Sequence, residues 1–302
     1  MFIRSKHLWL FWWRVFWFLS WSESSKKCSA LTVNQTPILL NPLTRRPILA
    51  FGPTFHKLLQ SGYIYHNGEL YPIQPNRYAE PILCSDWKII DSQPPAPPGL
   101  LFAEKSSGIL STPGITQPDS LITRIQDKYD KNAKLCHRLD RDTSGVLALA
   151  TDAAVHRQVS QQFESRQTTK IYSALVVGHV VQDKGTIDLP IGKEKAQEGY
   201  NRWVVAGEKP RAALTEYLVE QRFTLKDEEK DFLYTRLRVQ PHTGRGQQIR
   251  LHLAYLGHAI LGDCLHAPPH IATATPRLCL HAASLSFTLD DVRYTASIPA
   301  SF

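Results

Sequence analysis

The chain has 302 residues, 43% hydrophobic and 21% charged, a composition that reads as a soluble globular protein with a sizeable core, in one large domain or two modest ones. Its net charge of +8 is concentrated at the start: residues 1–50 hold seven Lys/Arg and only Glu23, leaving 28 basic against 26 acidic residues in the rest. Charge alone therefore excludes calling the body a nucleic-acid binder, and any such reading must rest on where the arginines sit.

The first segment, "MFIRSKHLWLFWWRVFWFLSW" (1–21), holds five of the seven tryptophans and three basic residues without an acid. Its apolar run is short for a membrane span and is interrupted by Arg14. It reads as a signal or organelle-targeting leader, with an interfacial anchor or a wrongly assigned start as alternatives. The expected location is cytoplasmic or organellar, and no stable membrane association is expected of the mature body. Residues 22–95 form an N-terminal extension, irregular over 22–50. A short helical signal, "FHKLLQSG", follows, then a hairpin turning at His66-Asn67-Gly68, where Asn-Gly supplies positive φ angles. This piece faintly resembles a small ribosomal-protein-type RNA-binding domain, a simple extension being the other reading. "DSQPPAPPG" (91–99) reads as a stiff linker, placing the main domain at 96–302.

From Leu100 strand and helix signals mix. "VLALA" (146–150) is a buried strand. Asp152 offers an N-cap, and Val155, Val159 and Phe163 recur every four residues, so 152–165 is an amphipathic helix. A strand begins at Lys170. "DFLYTRLRVQP" alternates, with Leu233, Leu237 and Val239 inward and Tyr234, Arg236 and Arg238 opposite. After "HTGRG", Ile249, Leu253 and Leu256 mark the inner face of a helix that stops at Gly257. Without a strict β-α-β repeat, the fold class is α+β, with a mixed, largely antiparallel sheet flanked by helices and loops.

The chemistry-bearing stretch is "CHRLDRDTSG" (136–145), where Asp140 and Asp142 sit among Arg138 and Arg141 before a buried strand. A carboxylate fixed there, with guanidiniums lowering its pKa, can act as a general base or a nucleophile. A purely structural salt-bridged turn has the same pattern. A second loop, "PHTGRGQQIR", places Arg245 in a Gly-flanked turn and Arg250 near a helix N-terminus, which suits an anionic ligand such as phosphate. Cys28, Cys84, Cys136, Cys264 and Cys279 form no C-x-x-C pair, and His252, His258 and His266 lack ligand spacing, so neither a disulfide framework nor a metal site is expected.

These residues resemble the RluA family of pseudouridine synthases. "HRLDRDTSGVLALA" is similar to its H-R-L-D-x-x-T-S-G signature, "EKSSGILSTPG" to K-P-x-G-L, and "KIYSALVVG" to K-x-Y-x-A-x-V-x-G. "PHTGRGQQIRLHLAYLGHAILGD" and "PRLCLHAASL" resemble the T-G-R-x-H-Q block and the last motif, so the likeness spans most of 98–302. It implies a pseudouridine synthase fold around a central RNA-binding cleft, and isomerisation of uridine in rRNA or tRNA stem-loops by a monomer without metal or organic cofactor. It implies that Asp140 is the catalytic aspartate, that Arg138 fills the space left by a flipped nucleotide, that Tyr172 stacks on the target base, and that Arg250 pairs with the catalytic carboxylate. Arg138, Arg141, Lys170 and Arg245 are the expected RNA contacts, and Asp142 has no catalytic role. Three positions depart from the pattern: Ser106 replaces the proline of K-P-x-G, Gln247 the histidine of R-x-H-Q, and His266 the tyrosine after G-D. Two rivals remain: a Mg²⁺-dependent phosphohydrolase reading "DRDTS", weakened because no strongly apolar strand precedes it, and an RNA-binding protein or folding chaperone that has kept the scaffold but lost turnover.

Overall fold

The computed structural model describes residues 87–195, 201–226 and 231–302, together with five strands between residues 30 and 72. Within the stretch expected to be irregular, β1 (Ala30–Val33), β2 (Thr36–Leu40) and β3 (Pro47–Leu49) form a small antiparallel sheet. β4 (Tyr63–His66) and β5 (Glu69–Pro72) pair antiparallel with His66 opposite Glu69, the hairpin that Asn-Gly foretells. The leader over 1–21 and the helical signal at 55–62 lie outside the described residues.

The main sheet has ten strands. They are β6 (Lys88–Ile90), β7 (Leu100–Lys105), β8 (Lys134–Leu135), β9 (Ser144–Ala150), β10 (Thr169–Val177), β11 (Lys184–Asp188), β15 (Leu214–Lys226), β16 (Asp231–Pro241), β17 (Leu280–Leu289) and β18 (Val292–Ser297). Their order is β11-β15-β16-β10-β17-β9-β7-β6, with β18 added to β17 and β8 to β9. Every pairing is antiparallel except β17 with β9, where His281 lies beside Ser144 and Ala282 beside Gly145. A three-stranded antiparallel sheet, β12 (Ile191–Lys195), β13 (Asn201–Val205) and β14 (Glu208–Arg211), was not anticipated. Helices α1 (Leu121–Lys128), α2 (Ala153–Glu164), α3 (Gln248–Tyr255) and the short α4 (Pro269–Ala272) complete an α+β architecture.

β9 reads as an unbroken apolar run because both of its faces are covered. Val146, Ala148 and Ala150 pack with Phe102, Phe287 and α2 residue Val159. Leu147 and Leu149 face the other way, onto Leu121 and Ile125 of α1 and onto Leu139 of the loop before β9. Each fully buried large apolar side chain contributes roughly 1.5–3 kcal/mol. α2 starts where expected, Asp152 accepting through Oδ1 from the amides of Ala154 (2.8 Å) and Val155 (3.0 Å).

Three expectations need correction. The body begins before the proline stretch: β6 pairs with β7, and Gln93 and Thr295 exchange backbone bonds of 2.8 and 2.9 Å. "KII" is too short to announce itself, but Trp87 and Ile89 pack on the core beneath α1. Leu233 has the predicted parity yet is exposed, because the β15–β16 hairpin runs past the core; Thr235, Leu237 and Val239 are the buried residues. Leu256 is likewise exposed, since α3 ends at Tyr255 and Leu256 caps it before Gly257 turns at φ 85°.

Candidate active site

The loop between β8 and β9 is held at Leu139, Arg141 and Asp142 by the end of β7 and the segment that leaves it. Buried Lys105 donates through Nζ to the carbonyls of Ser106 (2.9 Å), Ile109 (2.8 Å) and Arg141 (2.7 Å). The Gly108 amide also donates to the Arg141 carbonyl, at 2.9 Å, and Ser107 Oγ donates to the Asp142 carbonyl at 2.7 Å. Ser111 Oγ donates to the Leu139 carbonyl (2.7 Å) and accepts from the Leu139 amide (3.1 Å), fixing the residue before Asp140. On the other side His137 stacks on Phe163 with ring centroids 4.2 Å apart, and its Nε2 accepts from the Ala148 amide at 3.1 Å. Burial, with Lys170 nearby, pushes the His137 imidazole down to about 3, so it stays neutral and can keep accepting. Gly145 must be glycine: at φ 117° a Cβ would lie 2.3 Å from the Ala282 carbonyl oxygen.

This frame presents Asp140 half-buried in a polar pocket. Its pKa is raised, opposite to the expected direction, because burial outweighs the attraction of Arg250, Lys105 and Arg138. Sequence neighbours suggested that Arg138 and Arg141 would dominate. Instead Arg141 pairs with Asp142 at 2.9 Å, and the strongest cationic influences on Asp140, Arg250 and Lys105, come from distant parts of the chain. Lys105 responds in turn: burial lowers it to about 7 against the pull of Asp142 and Asp140.

Arg250 also departs from expectation. Its direct bonds run to Asp263, Nε to Oδ2 at 2.8 Å and an η nitrogen to Oδ1 at 2.5 Å, with both side chains buried. Burial opposes both charges, but the pairing prevails, holding Arg250 protonated and pulling Asp263 down to about 2. Asp140 is a second carboxylate acting on the same guanidinium. Tyr172 lies where the pairing of β10 with β17 shifts register, an irregularity that re-aims a side chain. Burial, with Asp140 near it, raises its phenol pKa, so it presents a neutral ring beside the carboxylate.

The expected RNA contacts divide. Arg138 is exposed beside Asp140. Lys170 reaches the Thr243 carbonyl at 3.4 Å, and burial together with Arg166 lowers it to about 8. Arg245 reaches the Ala212 carbonyl at 3.2 Å, and burial with Arg166 and Arg211 lowers its pKa. Gln248 pins this second loop, its Oε1 accepting from Thr243 Oγ1 (2.7 Å) and the Arg245 amide (3.0 Å). Arg141 is the exception, being committed to Asp142. Sequence reasoning missed Lys105, Ser111, His137 and Asp263 as parts of the site. All four lie inside quoted motifs, but nothing about Asp263 at the end of "HAILGD" signals a partner. Among the described residues no group of three or more His, Cys, Asp or Glu is arranged to hold a metal.

Asp140, partly buried and held in its loop, thus lies within electrostatic reach of Tyr172 and of the clamped Arg250, on a largely antiparallel sheet. The RNA pseudouridylate synthase family matches residues 99–255. The dual-specificity RNA pseudouridine synthase RluA of Pasteurella multocida is 40% identical over 186 residues, covering 61% of this chain and 80% of that protein. Its counterpart in Escherichia coli is 37% identical over 191 residues, covering 63% and 83%. Among solved structures, human RNA pseudouridylate synthase domain containing 1 superposes with a TM-score of 0.60 at 25% identity, covering 72% of this chain and 84% of that one. The chain belongs to the RluA family of pseudouridine synthases; it is an isomerase acting on RNA.

Proposed function

We propose that this isomerase acts as a monomer on a uridine in the loop of a tRNA or rRNA stem-loop, with Asp140 as its catalytic residue, and that it works in the cytoplasm or an organelle. The observation carrying the site assignment is the convergence on Asp140 of Arg250, Lys105 and Tyr172 from three other segments, beside Arg138 of its own loop. The target base must leave its stack to reach a carboxylate at this depth. Arg138, exposed at the rim, fills the vacated space, and Tyr172 stacks on the flipped base, a contact tolerant of sequence and suited to loop nucleotides.

In the reaction the bond from uracil N1 to ribose C1′ breaks and a bond from C5 to C1′ forms. N1 gains a proton, and the hydrogen on C5 is lost to water. Asp140 either attacks C1′ or removes a ribose proton; both routes need the carboxylate charged, a form that Arg250, Lys105 and Arg138 favour against the opposing effect of burial. The dual-specificity relatives support an RNA of the rRNA or tRNA class. Tritium release from RNA labelled at uracil C5 tests the site: Asp140→Asn should abolish it while RNA affinity persists, and wild-type release would overturn the assignment. Pseudouridine mapping of total RNA with and without the gene tests the substrate, and a lost site confined to mRNA would refute the stem-loop reading.

A further inference from the structure

Two of the three positions that depart from the family pattern, Gln247 and His266, lie nineteen residues apart in sequence and are bonded to each other, with His266 Nε2 and Gln247 Oε1 separated by 2.8 Å. Because the amide oxygen can only accept, the imidazole donates from Nε2. Burial pushes this histidine down to about 4, against the pull of Asp263 and with Arg250 and Arg202 opposing protonation, so the neutral donor persists across the working range.

The bond closes a ring. Gln247 is the N-cap of α3 and stands in the left-handed region, φ 56° and ψ 22°, a conformation unfavourable for a residue with a Cβ and unusual for a cap. Its carbonyl accepts from the Leu251 amide at 3.0 Å, so its orientation sets the first turn of the helix. Arg250 lies in that turn and is clamped by Asp263. Asp263 Oδ1 accepts from the His266 amide at 3.0 Å, and the His266 ring returns to Gln247. Arg250 thus has two independent ties, one through its guanidinium and one through the backbone of its own helix, and both meet in the turn over 263–266.

We propose that Gln247 and His266 form a positioning pair that sets the angle at which Arg250 faces Asp140, so that they govern the chemical step without touching RNA. The strained backbone at Gln247 is then held by its side-chain bond rather than by a need for glutamine in folding.

This inference rests on the site reading above and is tested beside it. The probe is total RNA from cells lacking the gene, tritiated at uracil C5, with turnover, RNA affinity and urea midpoint measured for each variant. Gln247→Gly removes the side chain while relieving the left-handed strain, so its midpoint should equal or exceed wild type. Its kcat should nonetheless fall roughly tenfold, as expected when a catalytic partner is slightly misplaced, with RNA affinity unchanged. His266→Phe should lose a similar factor, and the double variant should be no worse than either single one, because all three lose one bond. Wild-type kcat in Gln247→Gly, losses that multiply in the double variant, a loss confined to RNA affinity, or a midpoint falling in step with kcat would each overturn it. A fully active Asp140→Asn in the same assay overturns the site reading itself, and the pair's role with it.

Discussion

Arg250 and Asp263 grip each other through two parallel hydrogen bonds while scarcely touching water, with relative exposures of 2% and 1%. Asp263→Ala leaves the arginine charged, buried and unpaired, and should cost about 3–5 kcal/mol at neutral pH. The aspartate's folded pKa, about 2, lies below its ordinary 3.8, so its contribution is complete above 3.8 and disappears as pH falls through about 2. Urea titrations at several pH values should show the wild-type advantage shrinking across that window. Replacing both partners with apolar residues, as in Arg250→Met with Asp263→Leu, should restore much of the stability but not turnover, separating the clamp's structural effect from its role beside Asp140.

For Asp140 the sign is reversed. A carboxyl whose folded pKa is raised stabilises the fold below its unfolded value, and that stability is lost as pH rises through the folded value. At neutral pH Asp140→Asn should therefore stabilise the protein and raise its Tm, as activity vanishes. The stability gain should close at acid pH, and calorimetry at pH 7 and at pH 4 checks it.

The same raised pKa sets the acid limb of the rate profile. Turnover that needs ionised Asp140 should fall at a pH above the ordinary carboxylate range. Arg138→Gln, which removes one attraction holding the carboxylate charged, should move that limb higher still. A limb that Arg138→Gln leaves in place would mean Asp140 does not titrate in the rate-determining step.

RNA binding should distinguish the cations by their existing commitments. Lys170→Ala and Arg245→Ala should each flatten the dependence of log affinity on log salt by about one unit. Arg141→Ala should change the slope less, since its guanidinium already neutralises Asp142. Filter binding of a labelled stem-loop over a range of salt concentrations measures all three.

Elements whose local pattern matched their surroundings were legible in the sequence. β9 announced itself because burial on both faces demands an unbroken apolar run, and α2 because Asp152 caps a helix whose inner face repeats every four residues. Leu233 and Leu256 have the right spacing and the wrong environment: periodicity gives a side chain's face but not how far the element extends past its neighbours. The motif located Asp140 but not its electrostatics, because adjacent arginines are conspicuous in a string while burial and remote cations exist only in the folded chain. Asp263 illustrates the limit, since one aspartate after a glycine looks the same whether it caps a surface turn or clamps a buried arginine.

The lone parallel pair in the sheet has a consequence for synthesis. β17 lies between β10 and β9, so it joins the strand bearing Tyr172 to the strand that follows Asp140. Its register beside β9 is pinned by buried Ser144 Oγ and His281 Nδ1, 2.9 Å apart and 137 residues apart along the chain. Contacts of such long range form late and slow folding. A nascent chain that has already emerged through Arg250 carries every reactive side chain of the site but lacks the strand that brings the two halves together. Until β17 is in place, the strand that carries Tyr172 and the strand that follows Asp140 share no neighbour in the sheet.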